Sequence, residues 1–139
     1  MKEKYPVASV DLIIVRNNRI LFGEVSEKWK DQNKYEWGLP GREISSGDDF
    51  KTTVEKNLSE ELGMTLKKFE IICINNNFGF GNHYIATGIL VDAEGEPKVI
   101  KPEDWKQWKW FRKDEIPDKL FPSAELTIKS FLEDKANVE

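Results

Sequence analysis

Apolar and polar positions first alternate over Val7 to Val15, with Ala8, Val10, Leu12 and Ile14 on one face and Val7, Ser9, Asp11, Ile13 and Val15 on the other. A period of two predicts a strand, and two mostly apolar faces predict a central one, covered on both sides. Asp11 is the exception. It reads as an end-of-strand polar group or the partner of a nearby arginine, or else as a sign that the strand runs beside a ligand cleft. Arg16-Asn17-Asn18-Arg19 predicts a turn, because asparagine tolerates positive φ, and Ile20 to Val25 pairs back as a hairpin strand. Ser26 to Glu36 is polar and reads as a loop; its Trp29 and Tyr35 either pack back on the body or stack on a base or sugar. Trp37 to Arg42 leads into a helix starting near Ser46 or Asp48, where Ser46 and Asp49 have the spacing of a capping box. Phe50, Val54, Leu58 and Leu62 recur every four residues as its buried stripe, and Gly63 is its expected stop.

Beyond Gly63 the pattern returns to strands. Phe69 to Asn75 is one, followed by a Gly/Asn-rich connection over Asn75 to Asn82 in which Gly79 and Gly81 read as a flexible hairpin. His83 to Val91 is a long strand, Asp92 to Pro97 a turn, and Lys98 to Lys106 a charged loop. Gln107 to Phe111 alternates as a short strand, and a turn lies near Asp114 to Ile116. A last amphipathic helix runs from Ser123 to Asp134, with Ala124, Ile128, Phe131 and Leu132 inward, and the final residues fray. The order predicts an α/β fold, a mixed sheet with one helix on each face, forming a single domain over residues 1–139.

Composition narrows the function classes. The net charge of −4 argues against a sequence-independent grip on a nucleic acid polymer, which needs clustered basic charge. A mildly acidic protein that handles phosphate esters needs a divalent cation to manage the repulsion. The single Cys73 excludes an internal disulfide and, lying among Ile71, Ile72 and Ile74, is expected to be a buried structural thiol. His83, the one histidine, argues against a His-rich zinc centre. No apolar run approaches the roughly 18 residues of a membrane span, and no signal peptide is visible, so a cytoplasmic protein without a membrane partner is expected.

The candidate chemistry is concentrated at the end of the first helix. Positions 57, 60, 61 and 64 share one side of it. Glu61 falls at the edge of the apolar stripe and is expected to be half-buried, with Glu60 more open. A carboxylate at such a rim is unfavourable unless paired or bound to a cation, and paired hard oxygens suit Mg²⁺ or Mn²⁺. Arg42, at the mouth of the preceding loop, can bind phosphate bidentately. Trp105, Trp108 and Trp110 read as core, with one of them available to line a cleft.

Trp37-Gly38-Leu39-Pro40-Gly41, then Glu60-Glu61-Leu62-Gly63-Met64 at the correct spacing, resembles the box of the Nudix hydrolases, the MutT-like family. The likeness extends over essentially the whole chain and implies the Nudix α/β/α sandwich, with the Nudix helix on one face of the sheet and the C-terminal helix on the other. The box is degenerate. Its first glycine is Arg42, its first glutamate Asp48, its arginine Lys56, and the glutamate after that arginine Asn57. The resemblance implies that Glu60 and Glu61, helped by the Gly41 carbonyl, hold Mg²⁺ or Mn²⁺, and that Glu60 and Glu61 serve catalysis. With Asn57 unable to take a proton, the base is expected in the loop before the last strand, as Glu103 or Asp104.

Three stretches resemble the GDP-mannose mannosyl hydrolase branch: Pro6 to Asp11, His83 to Gly88, and Arg42 just after Pro-Gly. That branch uses a histidine in the loop before the last strand, and this loop has none. Glu96 to Glu103, Trp108 to Phe111, and Phe121-Pro122-Ser123-Ala124-Glu125 resemble the NTP pyrophosphatase members, Glu125 standing where some place a base-contacting asparagine. Together these imply Arg42, His83, Tyr84, Phe121, Ser123 and Glu125 as substrate-binding residues. The implied function is metal-dependent hydrolysis of a nucleoside diphosphate linked to another moiety, an NTP or a nucleotide-sugar, by water attack at phosphorus. The alternatives are attack at the sugar carbon and a non-catalytic nucleotide-binding module. A homodimer is common among such relatives.

Overall fold

The computed structural model describes residues 5–32, 34–78 and 81–133. Its centre is β1 (Val7–Arg16), whose Val10, Leu12, Ile13 and Ile14 are buried through both faces, as a covered central strand requires. Asn17 and Asn18 both take positive φ, 52° and 65°, and fold the chain back into β2 (Arg19–Val25). The segment read as a loop contains a short helix, α1 (Glu27–Gln32), which carries Trp29. Two short strands follow, β3 (Trp37–Gly38) and β4 (Gly41–Glu43).

The helix after β4, α2 (Phe50–Asn57), begins later than expected. Its N-cap is Asp49, whose side chain accepts from the Thr52 N–H at 2.8 Å, so the cap is neither Ser46 nor Asp48. Asp48 is instead bound to Lys56. Val54, Leu58 and Leu62 are fully buried and Phe50 packs on them, as the four-residue spacing predicts. The last turn, Leu58–Leu62, is π-helical and ends on Gly63 at φ 69°.

The second half is sheet-rich, and its strands are longer than the sequence pattern suggests: β5 (Thr65–Asn77), β6 (Tyr84–Glu94) and β7 (Trp105–Arg112). A 3-10 turn (Lys113–Glu115) leads to α3 (Pro122–Leu132). The strand order is β3-β2-β1-β6-β5, with β4 also paired to β1 and β7 to β2; β1 and β6 run parallel and the other pairs antiparallel. α2 covers one face over Val10, Leu12, Ile14 and Ile89, and α3 covers the other over Ile13, Phe22 and Leu39. This is the mixed sheet with a helix on each face that the element order predicts.

Three packing expectations are corrected. Leu132 is exposed, and Thr127 takes a buried place on α3 instead, because α3 turns a polar side chain onto Asp11. Cys73 is half-buried rather than buried, since it lies on the edge strand β5. Asp11 is paired with hydroxyls rather than with an arginine. Gly79 and the final residues 134–139, expected in a hairpin and a frayed end, lie outside the described residues.

Candidate active site

A cleft of about 290 Å³ opens where β1, β4, α1 and the start of α3 converge. Its lining includes Asp11, Trp29, Gly41, Arg42, Tyr84, Asp104, Trp105, Phe121 and Ser123. The β1–β4 register places Asp11 opposite Gly41 and Val10 opposite Arg42. That approach requires glycine at 41: a Cβ there would lie 2.5 Å from the Val10 carbonyl oxygen and 2.9 Å from Asp11 Oδ1.

The two glutamates leave the π-helical turn differently. Glu60 projects outward with its side chain 52% exposed, whereas that of Glu61 is 11% exposed. Arg42 Nη2 donates to Glu60 Oε1 at 2.9 Å and lies 3.7 Å from Glu61 Oε2. The hydrogen bond from Arg42 holds the Glu60 carboxyl below its ordinary range. Burial pushes Glu61 the other way, above its ordinary range. The charges of Lys101 and Arg42 and a hydrogen bond from the Trp105 side chain partly oppose that rise, and Asp104 reinforces it. Glu61, Asp104, Trp105 and Arg42 thus form one electrostatic neighbourhood at the cleft edge.

Asp104 accepts from Trp29 Nε1 at 3.0 Å and lies 3.8 Å from Lys28 Nζ, so α1 and the loop before β7 are tied across the cleft mouth. Glu103 is exposed, and its backbone carbonyl accepts from the Ser26 hydroxyl. At the cleft floor, Asp11 Oδ2 accepts from the Ser123 hydroxyl and from Thr127 Oγ1 at 3.2 Å. Burial raises the Asp11 pKa from 3.8 to about 6, with the two hydroxyls acting against the rise.

Of the residues implied to bind substrate, Arg42, Tyr84, Phe121 and Ser123 line the cleft. The Tyr84 hydroxyl also lies 3.5 Å from Glu43 Oε2. His83 and Glu125 are not part of the lining. The His83 ring stacks on Phe78 with centroids 4.6 Å apart, and Glu125 is exposed on α3. Asn77 lines the cleft without any signal in the sequence, where it is one of three consecutive asparagines at the end of β5.

Among the described residues no three His, Cys, Asp or Glu side chains gather to hold a metal ion. The available oxygen donors are the adjacent Glu60 and Glu61 carboxylates, the Gly41 carbonyl, and Asn57. Asn57 is completely buried, and its Oδ1 and Nδ2 have no hydrogen-bond partner. That set does not fit an all-protein cage. It fits a hard cation held by one or two carboxylates and completed by water and ligand phosphates.

A family model for the NUDIX domain matches residues 6–132. Among solved structures, the chain is similar to a MutT NUDIX hydrolase from Burkholderia pseudomallei, at 26% identity and TM-score 0.80, over 91% of this chain and 98% of that one. A mutator MutT protein from Bacillus halodurans matches at 22% identity and TM-score 0.71, over 91% and 82%. A UDP-X diphosphatase matches at 15% identity and TM-score 0.72, over 97% of this chain and 66% of that one. The last two likenesses are of fold.

Proposed function

The chain belongs to the NUDIX domain family, and from that premise we propose that it is a divalent-metal-dependent hydrolase of a nucleoside diphosphate linked to another moiety, an NTP or a nucleotide-sugar. The observation that carries the reading is the junction of an aromatic-walled cleft with the Arg42, Glu60 and Glu61 cluster at its edge. Trp29, Trp105 and Phe121 offer flat apolar faces for a base and exclude water. The phosphates then extend toward Arg42, whose guanidinium binds two of their oxygens and offsets charge that develops there.

Glu60 and Glu61, with the Gly41 carbonyl, are the groups that would hold Mg²⁺ or Mn²⁺. When bound, the ion supplies charge neutralisation and orientation of the phosphate oxygens. Asp104 is the base that takes the proton of the attacking water, because its carboxylate lines the cleft near Glu61, whereas the Glu103 side chain points into solvent. The Trp29 N–H fixes the Asp104 orientation. Ser123 and Asp11 form a polar floor suited to hydrogen bonds from the substrate.

Attack at the sugar carbon is disfavoured, because the one histidine, His83, stands outside the cleft lining. Asn57 favours a second reading, a nucleotide-binding module without turnover, since an amide replaces one carboxylate beside the pair. A panel of NTPs, ADP-ribose and GDP- and UDP-sugars, assayed with Mg²⁺ or Mn²⁺, separates the two. Turnover with release of phosphate, pyrophosphate or a nucleoside monophosphate is the expected result, and Glu61→Gln is expected to lower kcat/KM by at least about a hundredfold. A Glu61→Gln enzyme as active as wild type would remove the assigned site.

A further inference from the structure

We propose that Arg42 is an internal cation latched onto the Glu60–Glu61 pair, which a divalent ion must displace before it can bind. The inference rests on the metal-site reading above and adds to it a competitor built into the chain. A single guanidinium nitrogen faces both carboxylates, at 2.9 Å from Glu60 and 3.7 Å from Glu61, so it bridges the two acids much as a shared metal ion would. The backbone beneath it is fixed, because Arg42 is registered opposite Val10 in the β4–β1 ladder. The contact therefore arises from the side chain swinging over the acids, and the side chain can swing back without unmaking the fold. Arg42 itself is well covered, with its side chain 21% exposed.

The surrounding cations weigh more against a divalent ion than against the singly charged guanidinium. Lys101 adds a second positive field at both glutamates. The position at which the family box has a third glutamate is the neutral Asn57, so that position adds no negative charge to offset these cations, and Asp104 offsets them only in part at Glu61. Lys56 donates to Asp48 at 2.8 Å, and its charge also reaches Glu60. A divalent ion arriving at Glu60 and Glu61 would meet the guanidinium at close range, where like charges repel. Arg42 also lines the cleft, so the group released from the acids is already beside the place where phosphates would lie. Metal and anionic substrate should then help each other, one by freeing Arg42 and the other by holding it away, and such coupling is reciprocal.

The test uses Mn²⁺ alone on the full-length protein, with bound and free ion counted by electron paramagnetic resonance and the affinity checked by calorimetry. Arg42→Ala is expected to bind Mn²⁺ about twofold to fivefold more tightly than wild type, the range that displacing a partly exposed ion pair implies. Arg42→Lys, which keeps the charge but loses the planar fork, is expected to fall between them. Thermal melts give a second readout: Mn²⁺ should raise the melting temperature of Arg42→Ala more than that of wild type. Equal or weaker Mn²⁺ binding by Arg42→Ala would overturn the latch while leaving the metal site standing. Absence of Mn²⁺ binding in every variant, or binding that Glu61→Gln leaves intact, would overturn the metal-site reading and the latch with it.

Discussion

Asp11 and Asn57 are buried polar side chains whose environments make sharp demands, and each carries a prediction. Asp11 is an acid whose folded pKa, about 6, lies above its ordinary 3.8. Between about pH 4 and pH 6 the folded protein keeps this proton while the unfolded chain has released it, so its contribution to stability falls as pH rises through that window and is flat above it. The full swing is about 3 kcal/mol. Urea unfolding of wild type and Asp11→Asn from pH 4 to pH 7 should show wild type losing stability relative to the variant as pH rises; parallel curves would refute the burial account. Asn57 is fully buried with neither side-chain polar atom bonded. Asn57→Leu should therefore raise the unfolding free energy in metal-free buffer by about 1–2 kcal/mol, measured by urea titration. Some of this was legible in the sequence. The contrast between an open Glu60 and a more covered Glu61 follows from helix spacing against the Val54–Leu58–Leu62 stripe, although Glu61 is buried rather than half-buried. The partners of Asp11 do not follow, because Ser123 and Thr127 come from a helix more than a hundred residues away.

At the scale of elements, β4 and the end of α2 must meet, and two glycines permit it. Gly63 lets the π-helical turn close in the left-handed region, with the Met64 N–H reaching back to the Leu58 carbonyl at 3.0 Å. Gly41 lets β4 lie directly on β1. Gly41→Ala should lower stability by about 1–3 kcal/mol in urea unfolding and displace Arg42 from the glutamates, because the obstruction is Val10 backbone rather than a flexible side chain. A Gly41→Ala protein as stable as wild type would show that β4 does not need that approach. Elements with a strong apolar period were legible, as β1, the body of α2 and α3 show. The helix α1 was not, since Glu-Lys-Trp-Lys-Asp-Gln has one apolar residue and no stripe. It is held by what it meets, through the Trp29 hydrogen bond to Asp104 and the Lys30 ion pair with Glu24. The extra length of β5 and β6 was hidden for a related reason, because polar residues at their ends pair through the backbone, from Thr65↔Glu94 to Asn77↔Tyr84.

Across the whole molecule, the parallel β1–β6 pair divides two packed layers, and the cleft opens beside it between β4 and the start of α3. The sheet thus brings together a polar floor from β1 and α3, aromatic walls from α1, β7 and the residue that caps α3, and the acid pair from the π-helical turn after α2. Among the described residues no helix is long and apolar enough to cross a membrane. Family and architecture could be read from the Gly38-Leu39-Pro40-Gly41 loop and the Glu-Glu-x-Gly ending, because local geometry dictates those residues. Arg42, Tyr84, Asp104, Phe121 and Ser123 were also named from the resemblance and line the cleft, whereas Asn77 and the hydroxyl partners of Asp11 were not, because they depend on strand register and on where α3 docks. Water attack at phosphorus is tested by hydrolysis in ¹⁸O-labelled water with Mg²⁺, followed by mass spectrometry of the products. Attack at phosphorus puts one ¹⁸O in a phosphate-containing product and none on the released sugar or nucleoside carbon. Label on the sugar carbon, or a wild-type protein that is thermally stabilised by nucleotide yet turns over none of the panel, would contradict it.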